Sequence, residues 1–160
     1  MPREPADGVE EEDGGIRMSA SGAIHVRCDY CGKPAELVDD TQVYQQSYGG
    51  RVWLCRPCGA WVGCHKNSKR HIPLGRLANA ELRKAKIEAH AAFDPLWRAV
   101  AKRDQIEPGR ARNRGYAWMA AQMGMDRKQC HIGKFDLEQC RRVVVLIQGL
   151  VAGKPAERTE

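Results

Sequence analysis

Two short runs, Cys28-Asp-Tyr-Cys31-Gly32 and Cys55-Arg-Pro-Cys58-Gly59, restrict what this chain can become more than any other feature. The Cys-x-x-Cys spacing lets one tight turn present both sulfurs to a metal ion. Two such turns complete the closed tetrahedral shell that zinc prefers, with Zn–S distances of about 2.3 Å. The glycine after each pair tolerates the positive φ that turns backbone N–H groups back toward the sulfurs, so each run reads as a zinc knuckle. The expectation is one structural Zn2+ held by Cys28, Cys31, Cys55 and Cys58. Such a shell leaves no open position for substrate or water.

With 160 residues, the chain fits one domain or two small units sharing a core. Its 2 phenylalanines and 29% charged residues suit a small metal-braced fold better than a large self-sufficient interior. The cysteines number 7, an odd count, and no apolar stretch near the N-terminus resembles a secretory signal. Both features point to thiols kept reduced for metal in a reducing cytoplasm rather than to a disulfide framework. The longest strongly apolar run, Val143 to Ile147, falls far short of the roughly 20 residues that span a bilayer, so no membrane partner is expected.

Charge is unevenly spread: the stretch from Met1 to Gly15 holds one basic and six acidic side chains, net −5, which leaves +11 for the remainder of a chain whose total is +6. A basic body attracts polyanions, DNA or RNA first, although a solvated basic face serves solubility as well. The residues best placed to neutralise a nucleic-acid backbone are Lys66, Lys69, Arg70 and Arg76 after the second knuckle, with Arg110, Arg112 and Arg114 at the start of a helix. Trp53 and Trp61 would stack bases if exposed, or cover the metal site if buried.

Residues 1–22 combine Pro, Gly, Ser and the run Glu10-Glu-Glu-Asp13 with few apolar side chains, and are expected to form a disordered acidic tail. Residues 23–72 read as a zinc ribbon. Strands are expected around Ile24–Val26 and Ala35–Val38, then over Thr41–Tyr48, with a hairpin turn at Gly49-Gly50, a return through Arg51–Leu54 and a further strand at Ala60–Gly63. From residue 73 to 153 the period is helical. Asn79 caps a helix of about Ala80–Phe93, Asp94-Pro95 restarts a short one through Arg103, a third runs Arg110–Met123 to Gly124, and a last follows a capping box at Asp136. That last helix carries Leu137, Cys140, Val144, Ile147 and Val151 on one stripe, and residues 154–160 form a second tail. The fold class is therefore α+β, an N-terminal ribbon of short antiparallel strands packed on three to four C-terminal helices.

The segments Cys28-Asp-Tyr-Cys-Gly-Lys-Pro-Ala-Glu-Leu-Val38, Trp53-Leu-Cys-Arg-Pro-Cys-Gly-Ala-Trp-Val-Gly-Cys-His65, Pro73-Leu-Gly-Arg-Leu-Ala-Asn-Ala-Glu-Leu-Arg83 and Ala89-His-Ala-Ala-Phe-Asp-Pro-Leu-Trp97 together resemble a zinc-finger-containing domain of unknown function found in bacteriophage and mobile-element proteins. The similarity extends through Tyr116–Ala120, Cys130–Gly133 and Phe135-Asp136 to Val143. It implies a structural zinc on the same four cysteines, a phage or prophage setting and a cytoplasmic location, and it supplies no activity. His71 is a departure from the small polar residues of that segment.

The leading reading is a noncatalytic accessory protein that binds nucleic acid or a nucleic-acid-associated host complex; a protein-interaction module that inhibits or redirects a host enzyme is the alternative. A nuclease of the His-Asn-His kind, on His71, Asn79 and His90, ranks lower because Asn79 is placed as a helix cap and both knuckles precede His71. Cys64 and His65 are close enough to the second knuckle to substitute as ligands. Cys130, His131 and Cys140 invite a second metal site, but adjacent Cys-His ligands constrain its geometry, a fourth ligand would have to come from elsewhere, and core packing on the last helix accounts for Cys140.

Overall fold

Two knuckles can share one metal only if strands hold them at a fixed separation, and pairing supplies that. The structure, a computed structural model, describes residues 16–20 and 22–153. Strand β1 (Ile16–Met18) pairs antiparallel with β2 (Ile24–Val26), and β3 (Glu36–Asp39), β4 (Arg51–Cys55) and β5 (Ala60–Gly63) form a second antiparallel sheet in that order. The first knuckle is the turn leaving β2, closed by Cys28 N–H to the Lys33 carbonyl (2.9 Å) and Gly32 N–H to the Cys28 carbonyl (2.8 Å). The second knuckle is itself the hairpin turn between β4 and β5, with Cys55 opposite Ala60. Three helices follow: α1 (Ala80–Asp104), α2 (Pro108–Met123) and α3 (Leu137–Val151). The architecture is α+β, and none of the helices among the described residues is long and apolar enough to cross a membrane.

Several sequence expectations change. The acidic tail expected over residues 1–22 lies largely outside the described residues, but Ile16–Met18 forms a strand, because Met18 opposite Ile24 and Ile16 opposite Val26 extend the ribbon. The tail expected at 154–160 also lies outside them. Thr41–Tyr48 is a loop opened by a 3-10 turn at Asp40–Gln42. Asp40 is buried, and one carboxylate oxygen accepts the amides of Tyr48 (2.8 Å) and Gly50 (3.0 Å), which folds the segment back on itself. Those two amides, Gly50's first, hold the Asp40 carboxyl below the usual carboxylate range.

The break expected at Asp94-Pro95 is absent, and α1 runs unbroken through both. Proline removes one helical N–H, a local cost of about 3 kcal/mol. Against it stands burial on both sides of the proline: Phe93 belongs to the helical core, Leu96 and Trp97 pack on it, and Asp94 accepts the Trp97 indole N–H at 3.0 Å. The caps behave as expected. The Asn79 side chain accepts the Leu82 amide, Gly124 ends α2 at φ 65°, and Asp136 with Gln139 makes a complete capping box. On α3 the buried stripe is Cys140, Val143 and Ile147, with Val144 half-buried and Val151 exposed, so the stripe ends one turn earlier than expected.

The ribbon core (Val26, Cys28, Trp53, Cys55, Ala60, Leu77) and the helical core meet along the strap 72–78. Trp61 and Ala78 exchange both backbone hydrogen bonds (3.1 and 3.0 Å), and Leu74 N–H reaches the Gly63 carbonyl (2.9 Å), so the strap runs antiparallel beside β5. Alternation along an extended chain then sends Leu77 into the ribbon core and Ala78 into the helical core. Gly75 lies directly on the Gly133 carbonyl, with no room for a Cβ, and that same carbonyl accepts Lys86 Nζ from α1 at 2.8 Å. Burial pushes the Lys86 ammonium down to about 8.

Gly75→Ala must therefore separate two backbones, and is expected to cost about 3 kcal/mol, read as a lowered denaturation midpoint at unchanged metal content. Gly49→Ala, where a Cβ meets open space and only the backbone angle (φ 78°) resists, should cost less.

Candidate metal centre

Cys28, two residues beyond β2, and Cys55, the last residue of β4, lie in the ribbon core, each 1% exposed, while Cys31 is exposed and Cys58 half-buried against that core. The turns need left-handed backbone at Gly32 (φ 71°) and Gly59 (φ 62°), as their sequence positions predict. One sulfur atom from each cysteine lies within 4.8 Å of the other three, and the Cys31 and Cys55 sulfurs are 3.6 Å apart. A tetrahedral shell with metal–sulfur bonds of about 2.3 Å sets its sulfurs about 3.8 Å apart, so the four fit one ion.

The electrostatics favour a cation at the centre. The Lys33 amide, donating to the Cys31 sulfur, holds that thiol down to about 7, and the Cys58 amide points at Cys55 in the same way. Cys58 is pushed up to about 12, first by its hydrogen bond with Cys31, then by burial, and burial raises Cys55. One thiolate in this cluster suppresses the next, and a divalent ion removes that repulsion. When bound, the ion cross-links two hairpins; with four protein ligands it has no free coordination position.

Among the described residues, these cysteines are the one group of His, Cys, Asp or Glu side chains gathered closely enough to hold a metal. Cys64, half-buried against the ribbon core, has its thiol raised by burial, and His65 is exposed, its amide bonded to the Ile72 carbonyl (2.8 Å). Cys130 and Cys140 are buried in the helical core. His131 Nδ1 accepts the Gly133 amide (3.1 Å) and its ring stacks on Tyr116 at 5.0 Å. Of the nuclease candidates, His71 sits in a turn at φ 53° with its carbonyl accepting the Trp53 indole N–H (2.8 Å), Asn79 caps α1, and His90 lies 3.6 Å from Asp94. Trp53 is buried; Trp61 is half-buried, with Arg83 over its face at 4.9 Å and Tyr44 against its edge.

The basic candidates are not alike. Lys66 and Lys69 stand exposed in the turn after β5, and Arg110 stands exposed at the start of α2. Arg70 donates to the Gly22 carbonyl (2.6 Å), Arg76 faces Asp29 at 3.6 Å, Arg114 lies 3.9 Å from Asp104, and Arg112 covers the Tyr116 ring. Sequence reasoning passed over Arg127, whose guanidinium reaches that same ring at 5.4 Å from the loop that follows α2. No periodic pattern links a loop residue to a helix face, so only a contact could reveal it.

Replacing Cys55 by Ser is expected to abolish stoichiometric metal and melt the ribbon, since about 10 kcal/mol of binding free energy drives folding in zinc-finger units. Metal content and NMR dispersion report both effects. Burial, then the charges of Arg112, His90, Lys134 and Arg127, hold His131 down to about 4. The folded chain thus binds this proton less readily than the unfolded chain does. Stability contributed by the neutral ring is complete above pH 6.5 and lost as pH falls toward 4, by about 2–3 kcal/mol. Denaturation of His131→Gln should lack this part of the slope. The difference between the two proteins cancels any contribution from the metal site.

No curated protein and no solved structure matches the chain. A family model described as a zinc-finger-containing domain (DUF3268), a domain of unknown function, matches residues 24–150, a span that contains all four clustered cysteines, the strap and nearly all of the three helices. The chain belongs to this zinc-finger-containing domain family.

Proposed function

We propose that the protein is a noncatalytic accessory protein of a phage or mobile element, binding nucleic acid, or a host complex assembled on it, through a basic face in the bacterial cytoplasm. The ion assigned to the centre is Zn2+, because four thiolates at tetrahedral spacing are the donor set that selects it among common cellular metals. Free thiols packed this closely need a reducing compartment to stay unpaired.

The observation that carries the nucleic-acid reading is uncompensated charge. Lys66, Lys69 and Arg110 are exposed, and among the described residues no carboxylate lies within 4.0 Å of any of them, on a chain that is +11 beyond Gly15. Side chains free of such ion pairs can neutralise phosphates without first breaking one. The aromatic surface of the ribbon supports a second reading, a module that inhibits or redirects a host enzyme. Tyr44 and Tyr48, 41% and 70% exposed, touch edge to face at 5.3 Å, and exposed tyrosines anchor protein partners.

Salt separates the two. Fluorescence anisotropy with a labelled oligonucleotide should show affinity falling linearly in log salt, with a slope of about 0.9 per phosphate neutralised, and the double variant Lys66→Ala/Lys69→Ala should reduce that slope by about 2. A zinc-loaded protein that binds no oligonucleotide at low salt, yet captures a host protein through a contact sensitive to Tyr48→Ala and indifferent to salt, would replace the first reading with the second.

A further inference from the structure

Tyr116 is 2% exposed, stacked on His131 and tilted against Phe93 at 4.6 Å, yet two guanidinium groups converge on its ring, Arg112 at 5.6 Å and Arg127 at 5.4 Å from the centroid. Among the described residues, neither has a carboxylate within 4.0 Å. Two like charges on one ring repel, and cation–π attraction of about 0.5–2 kcal/mol each does not by itself explain why they are gathered there. A second observation is independent of charge. Among the described residues, Arg112 Nε and the Tyr116 hydroxyl are both buried without a hydrogen-bond partner, although such groups are nearly always satisfied. The Arg112 guanidinium and the Ile132 amide lie near that hydroxyl without closing a bond of good geometry.

We propose that Arg112, Arg127 and the Tyr116 hydroxyl form an oxyanion site that takes a phosphate group, supplied by a nucleic-acid strand. Guanidinium forks match the terminal oxygens of phosphate, and a phenol supplies a further donor. Arg127 is already oriented by the Asn113 side chain (3.2 Å) and the Cys130 carbonyl (3.4 Å), which use part of its five N–H donors and leave the rest for a ligand. Arg127 is exposed and Arg112 half-buried, each with its guanidinium near the Tyr116 ring. The site stands on its own geometry; the identity of the phosphate's carrier rests on the nucleic-acid reading above.

The test uses the full-length, zinc-loaded chain. Inorganic phosphate, titrated at constant ionic strength with sodium chloride as the balancing salt, should shift the Nε–Hε signals of Arg112 and Arg127 and the ring signals of His131 saturably. Arg112→Gln risks the packing of a buried ring, so the exposed Arg127 carries the decisive substitution. Arg127→Gln, with zinc content and melting midpoint retained, should abolish the phosphate shifts, weaken oligonucleotide binding about tenfold and lower the log-salt slope by about 1. Signals unmoved by phosphate, with full oligonucleotide affinity in Arg127→Gln and a loss in Lys66→Ala/Lys69→Ala, would overturn the site while leaving nucleic-acid binding in place. Saturable phosphate shifts in a chain that binds no oligonucleotide would keep the oxyanion site and overturn nucleic acid as its source.

Discussion

Four sulfurs drawn from two turns govern the rest of this molecule. Cys28 follows β2 by two residues and Cys55 ends β4, so two of the residues placed to grip the ion are also buried with Trp53, Val26 and Leu77. That core has six buried members, too few to offset the entropy of ordering short strands, and the metal supplies the missing cross-link. The Lys33 amide, aimed at the Cys31 sulfur, favours its thiolate, whereas burial raises the Cys55 thiol against the opposing Cys58 amide. Structure and metal affinity therefore share the same hydrogen bonds.

The helical part rests on different physics. Its core is a continuous apolar cluster from Ala78 to Ile147, in which α1 is the common partner of α2 and α3. The strap 72–78 joins the two by backbone pairing on one side and close backbone contact on the other, at Gly75 against Gly133. Gly133 belongs to the 3-10 turn at Ile132–Lys134, which carries His131 at its cap and lies beside the Arg112–Tyr116–Arg127 cluster. The metal centre braces one end of the molecule, and the uncompensated arginines lie at the other end of this chain of contacts.

Much of this was legible in the residues. Cys-x-x-Cys-Gly, repeated, specified the cluster and the two positive-φ glycines, because a metal shell demands a spacing and a turn that few other residues satisfy. The caps at Asn79, Gly124 and Asp136 were equally plain, since each acts within a single helical turn of itself. The failures share a cause. Thr41–Tyr48 has strand composition, but the buried Asp40 collects its amides, and Asp94-Pro95 has helix-breaking composition, but core contacts on both sides outweigh one lost hydrogen bond.

Local chemistry, then, was decided by the sequence alone: which residues can ligate, which residues cap α1 and α3, and that the body is basic. Only the tertiary structure decided which basic side chains are already occupied, as Arg76 is by Asp29 and Arg70 by the Gly22 carbonyl, and which have no carboxylate within 4.0 Å among the described residues, as Lys66, Lys69 and Arg110. It also decided that Arg127 joins Arg112 on one buried tyrosine. The reason is range: a turn or a cap is settled by neighbours along the chain, whereas the partner of a charge is settled by whatever the fold carries into reach.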